Sequence, residues 1–200
     1  MKDKILVAIP MYNCEKQIAR VISQFDQEMT EFITEVLIID NGSKDNGLEA
    51  AKTNLAKLTK LKVTLLQNCD NYSLGGTHKV AFNYAINNAF DYCVILHGDD
   101  QGSIHDLLPH LKSGEYRDYD CFLGARFHKD SKLEGYFWFR TFGNIVVNFL
   151  CSVACGHWVE DMGSGLNVFS TKYLSNKFYL YFPNDLTYNV YLLLYAVYSK

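Results

Sequence analysis

Short apolar runs alternate with helical patterns over residues 5–96, and this alternation most constrains the fold. Buried strands are predicted at short runs of four or five mainly apolar residues, at residues 5–9, 36–39, 63–66 and 93–96. Apolar residues at helical spacing predict helices between these strands, at residues 15–27, 47–58 and 78–89. This β-α-β-α-β-α-β order predicts an α/β fold, in which helices flank a doubly wound, mainly parallel sheet.

The second half of the chain shows the same kinds of pattern at less regular spacing. Helices are predicted at residues 104–111, 136–154 and 188–198, and strands at residues 121–124 and within residues 163–170. A glycine pair predicts a loop at residues 73–77. The last helical pattern reaches Lys200 without a C-terminal cap, so we expect one domain over residues 1–200 that was cut at its C-terminus.

Composition narrows the class of protein. A length of 200 residues suits a single globular domain, and a net charge of −3 gives no electrostatic basis for binding nucleic acid. The six cysteines form no Cys-x-x-Cys pair, which predicts reduced thiols and a cytoplasmic protein. Since no run of about 18 apolar residues exists, we expect no membrane-spanning helix in this sequence.

A polar cluster, His-Gly-Asp-Asp-Gln, follows the fourth strand at residues 97–101. Ligands bind outside the carboxyl ends of strands in open α/β sheets. Two adjacent acids are costly to hold there unless a cation neutralises them. The cluster therefore predicts a hard divalent metal together with a phosphate-bearing ligand. The alternative is a solvated turn whose aspartates cap the next helix.

Polar loops also follow the first two strands, from Pro10 to Glu15 and from Asp40 to Asp45. Asp40 could accept a hydrogen bond from a base or a ribose hydroxyl, and Gly42 allows close approach of the backbone. Both loops are equally compatible with plain turns and helix caps. Neither a Gly-x-Gly-x-x-Gly fingerprint nor a Walker loop is present, which argues against nicotinamide, flavin and P-loop enzymes.

Four further charged residues are candidates for a site. Lys79 follows the glycine pair at a predicted helix start, a position that suits binding of a phosphate. The alternative is an exposed lysine beside a flexible loop. Arg126 and Arg140 suit bidentate phosphate contacts, although Arg140 lies among aromatic residues on which it could stack instead. Asp161, beside a Gly-Ser-Gly turn, is a candidate base or acceptor-binding group, or an ordinary turn residue.

The order of these motifs resembles glycosyltransferase family 2 of the GT-A fold. The motifs are Pro-x-Tyr-Asn-x-Glu from residue 10, Asp-x-Gly-Ser-x-Asp from residue 40, Gly-Gly-x-x-Lys from residue 75 and Gly-Asp-x-Gln from residue 98. The later Gly-Ala-Arg126, Arg140 and Asp161-x-x-Ser-Gly look like the polyprenyl-phosphate sugar transferase branch, which dolichyl-phosphate mannosyltransferase typifies.

The resemblance implies a role for each motif residue. Nucleotide contacts are implied for Pro10, Tyr12, Glu15, Asp40, Gly42, Ser43, Asp45 and Lys79. The implied site for Mg²⁺ or Mn²⁺ on the donor diphosphate comprises Asp99, Gln101 and His97. His97 stands where the family has the first acid of Asp-x-Asp, and Mn²⁺ accepts imidazole more readily than Mg²⁺ does. Arg126 and Arg140 would clamp the donor diphosphate and the acceptor phosphate, with Asp161 near the acceptor.

The activity implied is inverting transfer of a sugar from a UDP- or GDP-linked donor to a polyprenyl phosphate. Two alternatives stay open: transfer to a saccharide hydroxyl, with Asp161 as base, and a non-catalytic module that binds nucleotide sugars. The aromatic stretch at residues 136–149 is compatible with a membrane interface or with a core helix. We therefore expect a cytoplasmic protein, with peripheral contact at the inner face of the membrane if the acceptor is a lipid.

Overall fold

The computed structural model describes residues 2–126, 138–161 and 163–198. Within these residues six strands form one sheet in the order β3-β2-β1-β4-β6-β5. The strands are β1 (Ile5–Met11), β2 (Glu35–Asp40), β3 (Lys62–Gln67), β4 (Tyr92–Leu96), β5 (Cys121–Leu123) and β6 (Leu166–Ser170). The first four pair in parallel, and β6 is antiparallel to both of its neighbours, β4 and β5. The predicted α/β fold with a mainly parallel sheet is confirmed.

The helices flank this sheet. They are α1 (Ile18–Ser23), α2 (Gln27–Thr30), α3 (Gly47–Leu55), α4 (Ser73–Asn87), α5 (Leu108–Ser113), α6 (Trp138–Cys155), α7 (Thr171–Leu174) and α8 (Tyr188–Tyr198). The helix predicted at residues 15–27 is present but shorter, at residues 18–23, and the Asp26 side chain, which accepts a hydrogen bond from the Met29 N–H, begins a second helix. None of the helices in the described part of the chain is long and apolar enough to cross a membrane.

The loop predicted at residues 73–77 was wrong, because these residues form the first turn of α4. A Cβ atom on Gly75 would lie 2.7 Å from the Pro183 carbonyl oxygen and from the Tyr188 ring. The Gly75 N–H donates to the Asn184 carbonyl at 2.7 Å. The glycines therefore allow residues 182–188 to pack against the start of α4, which covers the end where a phosphate was expected.

Both faces of the sheet are covered, which explains why its central strands are apolar at nearly every position. On one face Val7 and Ile9 pack against α1 and α5. On the other face Leu6 and Ala8 pack with Phe82 of α4 and with α8. The sheet thus lies between two layers of helices, and the connecting loops lie at its edges.

Strand directions bring distant loops to one edge of the sheet. The carboxyl ends of β1, β2 and β4 meet there because these strands are parallel. Since β6 is antiparallel to β4, its first residue, Leu166, pairs with Leu96 at the end of β4. Leu123 at the end of β5 pairs with Asn167. The segments before β6 and after β5 therefore lie beside the cluster at residues 97–101.

Candidate active site

Each loop that follows a parallel strand contains one residue in the left-handed region of the backbone map. These residues are Asn13 (φ 54°), Gly42 (φ 74°), Ser73 (φ 57°) and Asp100 (φ 63°). Non-glycine residues rarely adopt positive φ, and those that do cluster at functional sites, where the surrounding structure compensates the strain. Positive φ also occurs at Ala89 and Lys177, which lie away from this edge, so it accompanies these loops without marking a site by itself.

Hydrogen bonds join the loops after β1 and β2. The Asn13 N–H donates to Ser43 Oγ at 2.9 Å, and Asn13 Oδ1 accepts from the Lys44 N–H at 2.8 Å. The Glu15 N–H donates to Asp45 Oδ2 at 2.9 Å. Glu15, Ser43 and Asp45 are thus brought together, and their polar atoms hold the two loops in one arrangement.

Asp40 lies beneath these joined loops at the end of β2. Its carboxylate accepts from the Ser43 N–H and from Gln67 Nε2, both at 3.2 Å, and it has no exposed surface. In this conformation the Asp40 carboxylate supports the loop after β2 and has no surface of its own open to a ligand. Pro10 is also buried, and its carbonyl accepts from the Gly98 N–H at 3.0 Å, whereas the Tyr12 ring is 41% exposed.

Asn41, which stands in a turn and where the resemblance has a second Asp, is the centre of a buried hydrogen-bond network. Its buried amide donates to Asn71 Oδ1 at 2.9 Å and accepts from Asn68 Nδ2 at 3.0 Å and from the Tyr72 N–H at 2.9 Å. These bonds place the Tyr72 ring, which is 41% exposed, beside the second loop. In the sequence, the asparagines at positions 68 and 71 were the feature that could have indicated this hydrogen-bond network.

Lys79 lies elsewhere than its motif implied. Its ammonium group donates to the carbonyls of Leu180 and Phe182, at 3.2 and 2.6 Å, and to Asn184 Oδ1 at 2.7 Å. These three acceptors match the three N–H groups of a lysine. Burial lowers the pKa of Lys79. The placement differs from the predicted contact with a base or ribose, and it fixes the C-terminal segment to α4.

The two adjacent acids after β4 have different partners. Asp99 is half-buried, and its Oδ1 accepts from the Gln101 N–H at 3.2 Å. The positive φ of Asp100 turns its carboxylate toward α1, where Arg20 and Gln24 donate to it. Asp99 is therefore the acid of this pair that stays with the loops at the sheet edge.

The His97 ring lies between α4 and the segment that precedes β6. Its Nε2 is 3.3 Å from His78 Nε2, and a Cβ atom on Gly165 would lie 3.1 Å from its Nδ1. Burial lowers the pKa of His97, Asp99 partly offsets this, and Arg126 lowers the pKa further. Burial and the adjacent His97 ring hold the pKa of His78 well below its ordinary value. Burial thus disfavours the charged form of both rings.

Arg126 and Asp161 form a bidentate ion pair. Arg126 Nε donates to Asp161 Oδ2 at 2.7 Å and Nη2 donates to Oδ1 at 2.8 Å. The backbone N–H groups of Arg126 and Gly163 add bonds of 2.9 and 2.8 Å to the same carboxylate. Both oxygens of Asp161 are thus occupied. Arg140 belongs to α6, and its side chain lies outside the described residues.

The acidic groups present suit a cation that arrives with a diphosphate. Among the described residues no three His, Cys, Asp or Glu side chains are grouped so that they could hold a metal ion by themselves. Mg²⁺ in nucleotide sites is usually bound through one or two carboxylates together with substrate phosphates. Asp99 fits that pattern, with Gln101 as its neighbour. His97 does not fit as an Nε2 ligand, because its Nε2 faces His78.

Gly124 lies where β5 and β6 leave no space for a side chain. A Cβ atom there would lie 2.5 Å from the Leu166 carbonyl oxygen and 2.8 Å from Ser164 Oγ. We expect Gly124→Ala to destabilise the fold by about 1–3 kcal/mol in urea unfolding, because the β5–β6 contact must open. Gly143→Ala is the control, since no described atom outside its own helix backbone lies within 4 Å of its Cβ position. Equal stability of both variants would contradict this packing.

The sequence was then compared with known proteins. Residues 6–178 match the sequence profile described as "Glycosyl transferase family 2". The chain belongs to this family. An uncharacterized protein of Methanocaldococcus jannaschii is 27% identical over 169 residues, which cover 84% of this chain and 65% of that protein.

Solved structures show the same fold. S. aureus TarS (residues 1–349) superposes with a TM-score of 0.63 at 17% identity, over 98% of this chain and 55% of TarS, which was also solved with UDP. The mannosyltransferase PcManGT of Pyrobaculum calidifontis, solved with GDP-Man and Mn²⁺, superposes with a TM-score of 0.59 at 17% identity, over 94% and 50% of the two chains. The family 2 chain thus spans 50% to 65% of the length of these relatives.

Proposed function

We propose that this chain transfers a sugar, with inversion at the anomeric carbon, from a UDP- or GDP-linked donor to a polyprenyl phosphate. The observation that carries the proposal is that three groups of residues lie next to one another at one edge of the sheet. The joined loops after β1 and β2 lie at one end, Asp99 lies at the end of β4, and the Arg126–Asp161 pair lies beyond it. The UDP and GDP-Man bound to TarS and PcManGT support a nucleotide sugar as donor here.

The joined loops suit the nucleoside end of the donor. Tyr12 and Tyr72 offer exposed rings on which a base can stack. Glu15, Ser43 and Asp45 are engaged in holding the loops, so substitutions there should weaken donor binding indirectly. Gly42 keeps the second loop in a conformation that other residues adopt only with strain.

Asp99 is the residue that we assign to the cation. Bound Mg²⁺ or Mn²⁺ would supply positive charge that stabilises the departing diphosphate. Gln101 follows Asp99 closely enough for its backbone N–H to fix one carboxylate oxygen. The other oxygen of Asp99 has no hydrogen bond to the described residues and is the one that we assign to the ion.

The Arg126–Asp161 pair favours a phosphate acceptor over a hydroxyl acceptor. A general base must accept a proton, whereas the oxygens of Asp161 already accept four N–H groups, two of them from a guanidinium. A polyprenyl phosphate is anionic at neutral pH and needs no base. Its oxygen would form the bond to the anomeric carbon while the bond to the donor diphosphate breaks on the opposite face.

Helix α6 supports a lipid as the acceptor, because its buried face is polar and its exposed face is apolar. Asn148 and Ser152 are buried, and they bond to backbone groups of residues 159–160. The outward face is apolar, with exposures of 49% to 66% at Ile145, Phe149, Leu150 and Val153. No charged residue occurs at positions 141–155. An apolar outer face on a helix tied to the segment that carries Asp161 suits contact with a membrane surface near the acceptor.

Charge on this face should therefore weaken membrane binding. We expect Phe149→Glu/Leu150→Glu to lose most of the protein that floats with liposomes containing polyprenyl phosphate. Tyr119→Glu is the control, because Tyr119 is equally exposed at 52% but precedes β5 at the opposite edge of the sheet. Equal flotation of both variants, or none by the unmodified chain, would contradict a membrane-facing role of α6.

A thermal-shift series tests the donor part of the proposal. A UDP- or GDP-sugar with Mg²⁺ or Mn²⁺ should raise the melting temperature, since a ligand at about 100 times its Kd adds about 2.7 kcal/mol of stability. The free sugar should have no effect. Tyr12→Ala should reduce the shift without changing the stability of the unliganded protein. If no nucleotide sugar stabilises the chain, the donor assignment is wrong.

A further inference from the structure

One face at the start of α4 carries Tyr72, Gly75, Gly76 and Lys79, and the proposed function uses only the first of them. Residues three and four apart on a helix are neighbours, so these four lie in a row. The row has an exposed aromatic ring at one end, the two glycines in the middle and an ammonium group at the other end. We call the two glycines the glycine notch, because they leave the middle of this face without side chains.

Residues 180–184 lie in the glycine notch. The Gly75 N–H donates to the Asn184 carbonyl at 2.7 Å, and the Pro183 carbonyl oxygen lies 2.7 Å from the position of a Cβ atom on Gly75. Lys79 binds the same segment from the end of the row, through two of its carbonyls and Asn184 Oδ1. Because the Tyr181 side chain is 90% exposed, hydrogen bonds and not burial fix the middle of this segment.

The Asn184 side chain connects Lys79 with Tyr72. A Cβ atom on Gly76 would lie 2.5 Å from Tyr72 Cβ and 3.5 Å from Asn184 Cγ, so both side chains flank the same point of the notch. On its other side Tyr72 is held by the bond of its N–H to Asn41 Oδ1, at 2.9 Å. The base of the Tyr72 side chain is thus enclosed between the loop after β2 and a side chain that Lys79 binds.

A ring that is held before a ligand arrives binds that ligand more tightly. Ordering a side chain on binding costs free energy, and a side chain that is already held does not incur this cost again. The Tyr72 ring is 41% exposed and is one of the two rings that the proposed function assigns to the base. Without Asn184 in the notch, this ring would have more rotamers open to it. Lys79 therefore influences the base without touching it.

We propose that Lys79 is a positioning residue for nucleotide binding: it holds residues 180–184 in the glycine notch, and these residues hold the Tyr72 ring in the orientation in which the base stacks. The Gly-Gly-x-x-Lys motif at residues 75–79 thereby belongs to the nucleoside end of the site and not to the phosphates. The inference rests on the proposed function for Tyr72 as the stacking partner. The link from Lys79 to Tyr72 exists without a ligand and is measured separately.

Binding of UDP and GDP in the presence of Mg²⁺, measured by titration calorimetry, tests the inference. Tyr72→Ala should raise the Kd about 10-fold, since stacking of a base on an aromatic ring contributes on that scale. Lys79→Met should raise it about 5-fold, because the ring is present but no longer held. The double variant should match Tyr72→Ala, at about 10-fold, because Lys79 acts through Tyr72. A Kd that Lys79→Met leaves unchanged, or a double variant near about 50-fold, would overturn the inference.

Lys57→Met is the matched control. The Lys57 ammonium group also donates to an asparagine, Asn54 Oδ1 at 2.7 Å, but Lys57 lies between α3 and the start of β3, at the other end of the strands. It should leave the Kd unchanged. In the unliganded protein, Lys79→Met should speed amide hydrogen exchange at residues 72–77 and 180–188 and leave β1 and β2 unchanged. Faster exchange throughout the sheet would show general destabilisation and would overturn the positioning role.

Failure of the proposed function gives a different result. If the unmodified chain binds neither UDP nor GDP, the donor assignment is wrong and this inference is wrong with it. If the unmodified chain binds a nucleotide and Lys79→Met binds it equally well, only this inference is wrong. Should Lys79→Met not fold, Asn184→Ala replaces it in the same measurements, because it removes the connecting side chain and leaves two bonds of Lys79 in place.

Discussion

Asp99→Asn is expected to lower the rate of sugar transfer by about 10³-fold, which is the largest effect on activity that we expect from one conservative substitution. The substitution keeps the shape of the side chain, and the amide oxygen can still accept from the Gln101 N–H. It removes the negative charge that is assigned to the cation. The melting temperature should therefore stay close to that of the unmodified chain while activity is lost at every concentration of Mg²⁺ or Mn²⁺.

Asp100→Asn is the matched control for this measurement. Asp100 is adjacent in sequence, but its carboxylate is held by Arg20 on α1 and by Gln24 directly after α1. We expect a loss of less than about 10-fold, because only the orientation of the loop is affected and exposed ion pairs contribute little. Initial rates of nucleotide release decide the comparison. Equal losses in the two variants would show that the metal role does not belong to Asp99 alone.

Arg126→Ala is expected to destabilise the fold by about 3–5 kcal/mol, because it leaves a buried carboxylate without its cation. The Asp161 side chain is 1% exposed and that of Arg126 is 19% exposed. Adding Asp161→Asn should recover much of this loss, since the amide keeps acceptors for the backbone N–H groups and carries no charge. Urea unfolding of the two single variants and the double variant gives the coupling energy.

The Arg117–Asp3 pair provides the control. It is also an arginine–aspartate contact, at 2.7 Å, but its side chains are 51% and 22% exposed. Arg117→Ala should therefore destabilise the protein by no more than about 1 kcal/mol. A loss for Arg126→Ala as small as this would mean that the Arg126–Asp161 pair is not a buried structural element.

Local patterns predicted most of the sheet, because its strands are buried on both faces and so appear as apolar runs. The loops after β1, β2 and β4 were predicted for the same reason, since a polar cluster at the end of an apolar run is visible in the sequence. The start of α4 was not predicted. Gly75 and Gly76 are typical of a loop. For Gly75, contacts with Pro183 and Tyr188, more than a hundred residues away, show why a glycine occurs in this helix.

Side-chain direction was the part of the site that the sequence left open. Asp99 and Asp100 are equivalent in a sequence, and Arg20 on a different helix holds the second one away. The same applies to Lys79, whose acceptors lie at residues 180–184. Long-range partners of this kind follow from the strand order, which short motifs do not encode.

The central claim is transfer of a sugar to a polyprenyl phosphate, and product analysis tests it most directly. The purified chain is incubated with a UDP- or GDP-sugar, polyprenyl phosphate and Mg²⁺ or Mn²⁺, and the lipid fraction is examined by mass spectrometry and by ¹H NMR of the anomeric position. We predict a glycosyl phosphoprenol of inverted anomeric configuration, absent with Asp99→Asn. A product formed only on a saccharide hydroxyl, a retained configuration, or donor binding without any lipid product would contradict the claim.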